Sequence, residues 1–264
     1  MTDRYSRHDS LKFDRPAEHV LRICINRPER LNALTTATHT ALVEVWRDVD
    51  ADPSVRAVIV CGAGKAFSVG GEFDVVEAII DDFDTRTRAL REAHDLVYNM
   101  INCSKPIVSA MQGAVAGGGL AVGLLADISI AAKTARLVDG HTRLGVCAGD
   151  HANIIWPLLC GLAKAKYYLL LCEPITGEKA EEIGLVSMAV DEADLEATAL
   201  AVATKLAKGA PMAISATKYA LNNWLRMAGP SFDASLAMQF YGFGGPEPRE
   251  GLASHREKRP PLFK

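Results

Sequence analysis

The sequence predicts an α/β fold, with a core of strand–strand–helix rhythm and a helical C-terminal region. Three observations carry this reading. An apolar strand at residues 55–61 runs into the glycine pair Gly70-Gly71, and a second strand at 107–108 runs into the triplet Gly117-Gly118-Gly119. Strand-like and helix-like spacings alternate up to about residue 150. Beyond that point the apolar spacing is helical.

The elements follow in order. Residues 19–26 form a strand. A helix then opens at Thr35 or Thr36, either of which can cap it, with Leu42, Val45, Trp46 and Val49 on one face. The strand at 55–61 leads to the first glycine pair and to an acidic stretch of mobile character at 77–86. A helix over 87–103 places Leu90, Val97, Met100 and Ile101 together. The second strand–glycine unit continues into a helix at 120–126 and a strand at 127–132. Helices are expected at 163–172, 177–183, 195–208 and 212–227, and residues 246–264 read as a solvated helix and tail.

With 264 residues, 49% of them hydrophobic, the chain can bury a substantial core. A net charge of -3 offers no basic field for nucleic acid or an anionic membrane. The six cysteines are scattered and no CxxC occurs, which fits reduced thiols in a cytoplasmic protein. Residues 1–10 are polar and lack a signal-peptide core. The longest apolar stretch, 154–172, is interrupted by Pro157, Lys164 and Lys166, which argues against a membrane span.

The glycine turns carry the chemistry. Glycine lets a substrate approach bare backbone, and a helix start leaves N–H groups without partners. Such groups stabilise negative charge on an oxygen. Two strand–glycine units in one domain could therefore aim two donors at one carbonyl oxygen. Other motifs are weaker. Residues 62–67, GAGKAF, lack phosphate-loop spacing, the triplet lacks the acidic residue of a dinucleotide site, and no G-x-S-x-G is present.

Several segments together resemble the crotonase (enoyl-CoA hydratase/isomerase) superfamily. They are NRPERLNAL at 26–34, GKAFSVGGEFD at 64–74, KPIVSAMQGAVAGGG at 105–119, ADISIAAKTAR at 126–136, the Leu144-Gly145 pair, TGEKAEEIGLV at 176–186 and the EKR…F ending. The resemblance implies a crotonase-like spiral of ββα units over residues 1–194. It also implies a C-terminal helical region, 195–264, that packs homotrimers or hexamers. By the same match, Gly71 and Gly118 would supply the oxyanion N–H groups, and Arg30, Leu31, Ala33 and Phe67 would line the acyl-CoA. Coenzyme A would enter as part of the substrate, with no other cofactor and no metal.

The chain departs from the family at both hydratase glutamates. Their positions hold Ala121 and His141. Alanine cannot transfer a proton, whereas histidine can near neutral pH. A carboxylate behind an imidazole fixes its tautomer, and Asp150 is the expected partner. The segment DGHTRLGVCAGDHANIIWP resembles the 6-oxocamphor hydrolase type of superfamily member, which cleaves a carbon–carbon bond of a β-diketone with a His–Asp pair. By that resemblance His141 activates water and Asp150 supports it; a further histidine of that type falls near Gly119 here.

The alternatives are concrete. Asp150 could instead cap a helix, His151 could be a supporting or surface residue, and Glu72 could be surface charge or a catalytic group. Asp139, His141, Asp150 and His151 lack the spacing of a zinc site. The expected function is an enolate-forming enzyme acting on an acyl-CoA thioester. A CoA-independent β-diketone hydrolase and a non-catalytic acyl-CoA-binding protein are the other readings.

Overall fold

Among the described residues, nine strands build two sheets: β1 (Leu11–Ala17), β2 (Val20–Ile25), β3 (Ala57–Gly62), β4 (Ile107–Met111), β5 (Ala114–Ala116), β6 (Ile128–Ala132), β7 (Arg136–Val138), β8 (Ile175–Thr176) and β9 (Met188–Val190). The structure, a computed structural model, describes residues 4–264. The larger sheet has the order β1-β2-β3-β4-β6-β9, and only the β1–β2 pair in it is antiparallel. The smaller sheet is β5-β7-β8. The parallel strands β3 and β4 are almost wholly buried, as expected where helices cover both faces. Strand β1 was not foreseen: its Lys12, Asp14 and Arg15 break the apolar pattern because it is the sheet edge.

The helices are α1 (Thr36–Asp50), α2 (Phe73–Asp81), α3 (Phe83–Asn102), α4 (Gly117–Leu125), α5 (His141–Leu144), α6 (Ala152–Leu171), α7 (Gly177–Glu182), α8 (Leu195–Lys208), α9 (Pro211–Leu221), α10 (Asn223–Met227), α11 (Gly229–Gly242) and α12 (Glu247–Glu257). Thr35 caps α1, accepting the Thr38 N–H at 3.1 Å. Leu42, Val45, Trp46 and Val49 of α1 have no exposed surface.

Several expectations need correction. The acidic stretch at 77–86 is helical, because Asp82 ends α2 and caps α3 by accepting the Thr85 N–H at 2.7 Å. The glycine triplet is the first turn of α4 rather than a loop before it. The helix expected at 212–227 divides into α9 and α10 at Asn222. Helix α8, which begins the region expected to pack subunits together, also packs on β3 and β4 of its own sheet. The tail is not merely solvated: Pro248, Gly251, Leu252 and Ser254 of α12 are buried, and Arg256 pairs with Asp74 and Glu77 of α2.

Helix α6 has the length and apolar composition of a membrane span. Its backbone breaks at Gly161 (φ 75°, ψ 156°), which leaves two pieces too short to cross a bilayer. Ile154, Ile155, Trp156 and Ala165 face the core, while Leu158, Leu162, Leu170 and Leu171 are exposed.

One ion pair ties the C-terminal helices to the sheet. Lys218 of α9 donates to Asp127 at 2.7 Å and to the Lys105 carbonyl at 2.9 Å, with 6% of its side chain exposed. Replacing Lys218 with Met should cost about 1.5–3 kcal/mol, the range for a hydrogen bond to a charged group. A denaturant titration that shows no loss would contradict this role.

Candidate active site

The two glycine turns lie side by side because their strands pair. Ser68 and Val115 form a parallel bridge; the Ala116 N–H donates to the Ser68 carbonyl at 2.9 Å and the Ser68 N–H to the Ala114 carbonyl at 3.2 Å. Backbone then meets backbone: a Cβ on Gly117 would lie 3.2 Å from the Gly70 Cα and 3.9 Å from the Gly71 nitrogen. Gly70 and Gly117 also have positive φ, +84° and +51°, so side chains are excluded twice over.

Leu34 sets the direction of Gly71. Its N–H donates to the Gly70 carbonyl at 2.8 Å, and its carbonyl accepts the Glu72 N–H at 3.0 Å. Successive groups in extended chain point to opposite sides, so the Gly71 N–H points away from Leu34. Gly118 sits in the first turn of α4, where N–H groups have no intrahelical acceptor. Among the described residues, no protein acceptor takes either N–H. The approach loop is fixed by buried Asn32, which donates to the carbonyls of Ala63 at 2.8 Å and Ala66 at 2.7 Å and accepts the Arg27 N–H at 2.8 Å.

Titratable groups leave the same sheet edge. Strands β5 and β7 are parallel with Ala116 opposite Val138, so Gly117-Gly118 and Asp139–His141 emerge from one end. There two carboxylates and two imidazoles form a ring. His141 Nδ1 lies 2.9 Å from Asp139 Oδ1, and His141 Nε2 lies 3.4 Å from Asp150 Oδ2. His151 Nδ1 lies 2.6 Å from Asp150 Oδ1, and His151 Nε2 lies 3.8 Å from Asp139 Oδ2. Burial opposes charge on His141, yet Asp139 and Asp150 hold its pKa well above the usual value. Burial likewise opposes ionisation of both carboxyls, but the imidazoles, His141 first, hold Asp139 below and Asp150 well below the usual range. The ring is therefore read as a charged imidazolium between two carboxylates.

The C-terminal helices brace this ring. Gln239 of α11 accepts the Gly149 N–H at 3.0 Å, and Ser235 of the same helix donates to the Gly149 carbonyl at 3.2 Å. Helix α12 approaches α5 so closely that a Cβ on Gly251 would lie 2.0 Å from the Leu144 carbonyl oxygen.

The sequence-level site is thus partly rearranged. Asp150 does meet His141, but on Nε2; the partner on Nδ1 is Asp139, two residues upstream and not foreseen. Asp150 does not cap α6, and His151 has no exposed surface. A second His–carboxylate pair lies near the glycines. His39 Nδ1 lies 2.9 Å from Glu92 Oε2, and His39 Cδ2 is 4.0 Å from a Cβ position on Gly118. No spacing could reveal it, since 53 residues separate the two. Arg30 is exposed, Leu31 is 36% exposed and Ala33 is 8% exposed, all on or beside the turn Pro28–Arg30. Phe67 has no exposed surface and sits in the core beneath Gly123. Glu72 pairs with Arg27 at 2.8 Å.

The sequence profile of the enoyl-CoA hydratase/isomerase family matches residues 15–264. The chain belongs to that family. It is 29% identical to the 1,2-epoxyphenylacetyl-CoA isomerase of Escherichia coli over 92% of its length and 94% of the isomerase. It is 32% identical to the (E)-benzylidenesuccinyl-CoA hydratase of Thauera aromatica, over 77% of this chain and 79% of the hydratase. Its structure superposes on an enoyl-CoA hydratase/isomerase from Mycobacterium paratuberculosis with a TM-score of 0.88, at 32% identity, covering 93% of this chain and 98% of that one. The architecture is accordingly the crotonase fold that the sequence motifs implied. Within this enoyl-CoA hydratase/isomerase frame, Ala121 on α4 is buried and His141 is 8% exposed.

If Asp139 holds the His141 charge, Asp139→Asn should lower the His141 pKa and cost about 3–5 kcal/mol, the usual effect of removing one partner of a buried ion pair. Imidazole titration by NMR and thermal melts check both; an unchanged titration would refute the assignment.

Proposed function

We propose that this enoyl-CoA hydratase/isomerase family protein is an enzyme that works on an acyl-CoA thioester through an enolate. The observation that supports this best is the contact of two glycine turns whose Gly71 and Gly118 N–H groups have no protein acceptor, at the sheet edge that also carries the Asp–His ring. Those N–H groups would hold the thioester oxygen as its charge grows. Coenzyme A belongs to the substrate in this reading, and no further cofactor is assigned.

Gly64 packs against Pro28, its Cβ position 2.9 Å from the Pro28 Cβ, so exposed Lys65 and Arg30 flank one contact. They would face the phosphates, with Leu31 and Ala33 along the carrier and Phe67 shaping the pocket floor from the core.

The ring assigns proton chemistry differently from a simple histidine base. Both nitrogens of His141 face carboxylates, so the imidazolium is the acid. Asp150, with 17% of its side chain exposed, is the carboxylate that meets solvent. Its 3.4 Å contact with His141 is where water or substrate can enter. Asp150 would take a proton from carbon or water, and His141 would return one to the enolate. This division fits hydrolysis or carbon–carbon cleavage better than ordinary hydration, because Ala121 supplies no second acid. The flanked His141 also favours a second reading, cleavage of a CoA-free β-diketone by water.

Deuterium wash-in at the α-carbon of an acyl-CoA, followed by mass spectrometry, tests the enolate. Wash-in should occur with the unmodified protein and fall about 10²–10⁴-fold in Asp150→Asn, the range for one general acid–base group. Turnover of a cyclic β-diketone without wash-in would favour the second reading. CoA binding with neither reaction would favour a binding protein.

The pH profile separates the two roles of His141. A group with a raised pKa is protonated at low pH and loses its proton as pH climbs through the raised value. Asp150, with a depressed pKa, stays ionised until strong acid. The rate should therefore be level across mildly acidic and neutral pH and fall at alkaline pH. An ascending limb centred at about 6.5, the value of an unperturbed histidine, would instead make neutral His141 the base.

Exposed Leu158, Leu162, Leu170, Tyr219, Trp224 and Met227 on α6, α9 and α10 support assembly as a homotrimer or hexamer. Light scattering at micromolar concentration should give such a mass, and a monomer would overturn this.

A further inference from the structure

A second site borders the Gly62–Gly64 turn, built on a row of residues across the larger sheet. Lys12 of β1 is opposite Cys24 of β2, Cys24 is opposite Cys61 of β3, and Cys61 is opposite Ala110 of β4. Directly paired residues point to one face, and adjacent strands lie roughly 4.7–4.9 Å apart. That spacing falls within the Cα separation of a disulfide, roughly 4.4–6.8 Å. The row lines a cavity of about 650 Å³, closed in part by Leu195, Glu196 and Ala199 of α8. The neighbours Ile23, Ile25 and Val60 point into the opposite, fully buried face.

The two thiols are not equivalent. The paired register sets the two side by side: the neighbouring Cys61 draws the Cys24 thiol below its ordinary pKa against the opposing effect of burial, with Arg22 and Lys12 adding positive charge, while the Cys24 Sγ lies 3.6 Å from the Ile25 carbonyl, to which it donates. The same pairing and burial push Cys61 up. Arg22 is itself held in place by Asp14 at 2.6 Å and by Glu196 of α8. Elsewhere burial pushes thiols up: Cys103 to about 11, and Cys147 and Cys160 also upward. One activated thiol beside a second thiol, open to a cavity, is the arrangement of an oxidisable pair.

We propose that Cys24 and Cys61 form a reversible dithiol–disulfide site that reacts with a hydroperoxide entering this cavity. The Cys24 thiolate attacks the terminal peroxide oxygen; an S–O bond forms, the O–O bond breaks, and hydroxide or alkoxide leaves. The Cys61 sulfur then attacks the sulfenic acid; the S–S bond forms, the S–O bond breaks, and water carries off the oxygen and the Cys61 proton. Two thiols are oxidised and one peroxide is reduced. A dithiol reductant reverses the change.

The test is oxidation of the full-length reduced protein by one equivalent of hydrogen peroxide, followed by non-reducing proteolysis and mass spectrometry. A linked pair of peptides carrying Cys24 and Cys61 is expected. In Cys61→Ala, dimedone should label Cys24 as its sulfenic acid. In Cys24→Ala, labelling of Cys61 should fall roughly tenfold or more, since thiolate content falls tenfold per pKa unit. Phenylarsine oxide, which bridges only neighbouring thiols, should protect these two cysteines of the unmutated protein from alkylation, so the proposal remains testable if a variant does not fold. Oxidation that begins at Cys103, Cys147, Cys160 or Cys172, or arsenical protection that spares Cys24 and Cys61, would overturn it.

Discussion

Burying two carboxylates beside two imidazoles is the constraint around which this molecule is arranged. An unpaired buried charge costs several kcal/mol, so Asp139 and Asp150 persist inside only because His141 and His151 lie against them. That arrangement joins three stretches of chain. Asp139 comes from the end of β7, His141 from the start of α5, and Asp150 and His151 from the entrance to α6. Each must be held to within a fraction of an ångström, and that demand explains the dense packing nearby. Gly145, Gly149 and Gly251 all sit where a side chain would strike backbone of a neighbouring helix.

The C-terminal helices thereby acquire a role at the site itself. Ser235 and Gln239 of α11 hold the loop that carries Asp150, and α12 presses on the helix that carries His141. Salt bridges from Arg249 and Arg256 fasten α12 to α2, which follows directly from the first glycine turn. The glycine turns and the Asp–His ring are thus tied into one frame. Exposed ion pairs add little individually, and the buried Pro248, Gly251 and Leu252 of α12 supply the packing beside them.

In the proposed function, the two glycine turns and the ring divide the work by chemistry. Bare backbone offers donors that cannot titrate, so charge on an oxygen can be met at any pH. In that reading the ring supplies the groups that exchange protons, and exposure rather than distance marks its open side, since His141 and Asp150 keep 10% and 17% of their side chains exposed while the longer His151–Asp139 gap is fully buried. The 2.6 Å contact of His151 with Asp150 is closed, while the 3.4 Å contact of His141 with Asp150 is loose and borders solvent. His39, paired with Glu92, stands beside Gly118, so a further polar pair borders that glycine turn.

The sequence by itself determined the fold class and the position of the two glycine turns. Strand–glycine–helix units and the NRPERLNAL, GKAFSVGGEFD and KPIVSAMQGAVAGGG segments were enough, because these features are local: a glycine turn is written in a few neighbouring residues. His141 was also legible, since it replaces a glutamate within a short, ordered motif, and so was Asp150 close behind it. What only the tertiary structure decided was which atoms meet. Asp139 lies two residues from His141, yet its carboxylate reaches Nδ1 only because β7 ends in a turn that α5 then closes. His39 and Glu92 meet across α1 and α3, and Cys24 meets Cys61 through strand register, neither of which leaves a trace in spacing. Long-range packing sets those contacts, and it depends on the whole core rather than on any segment.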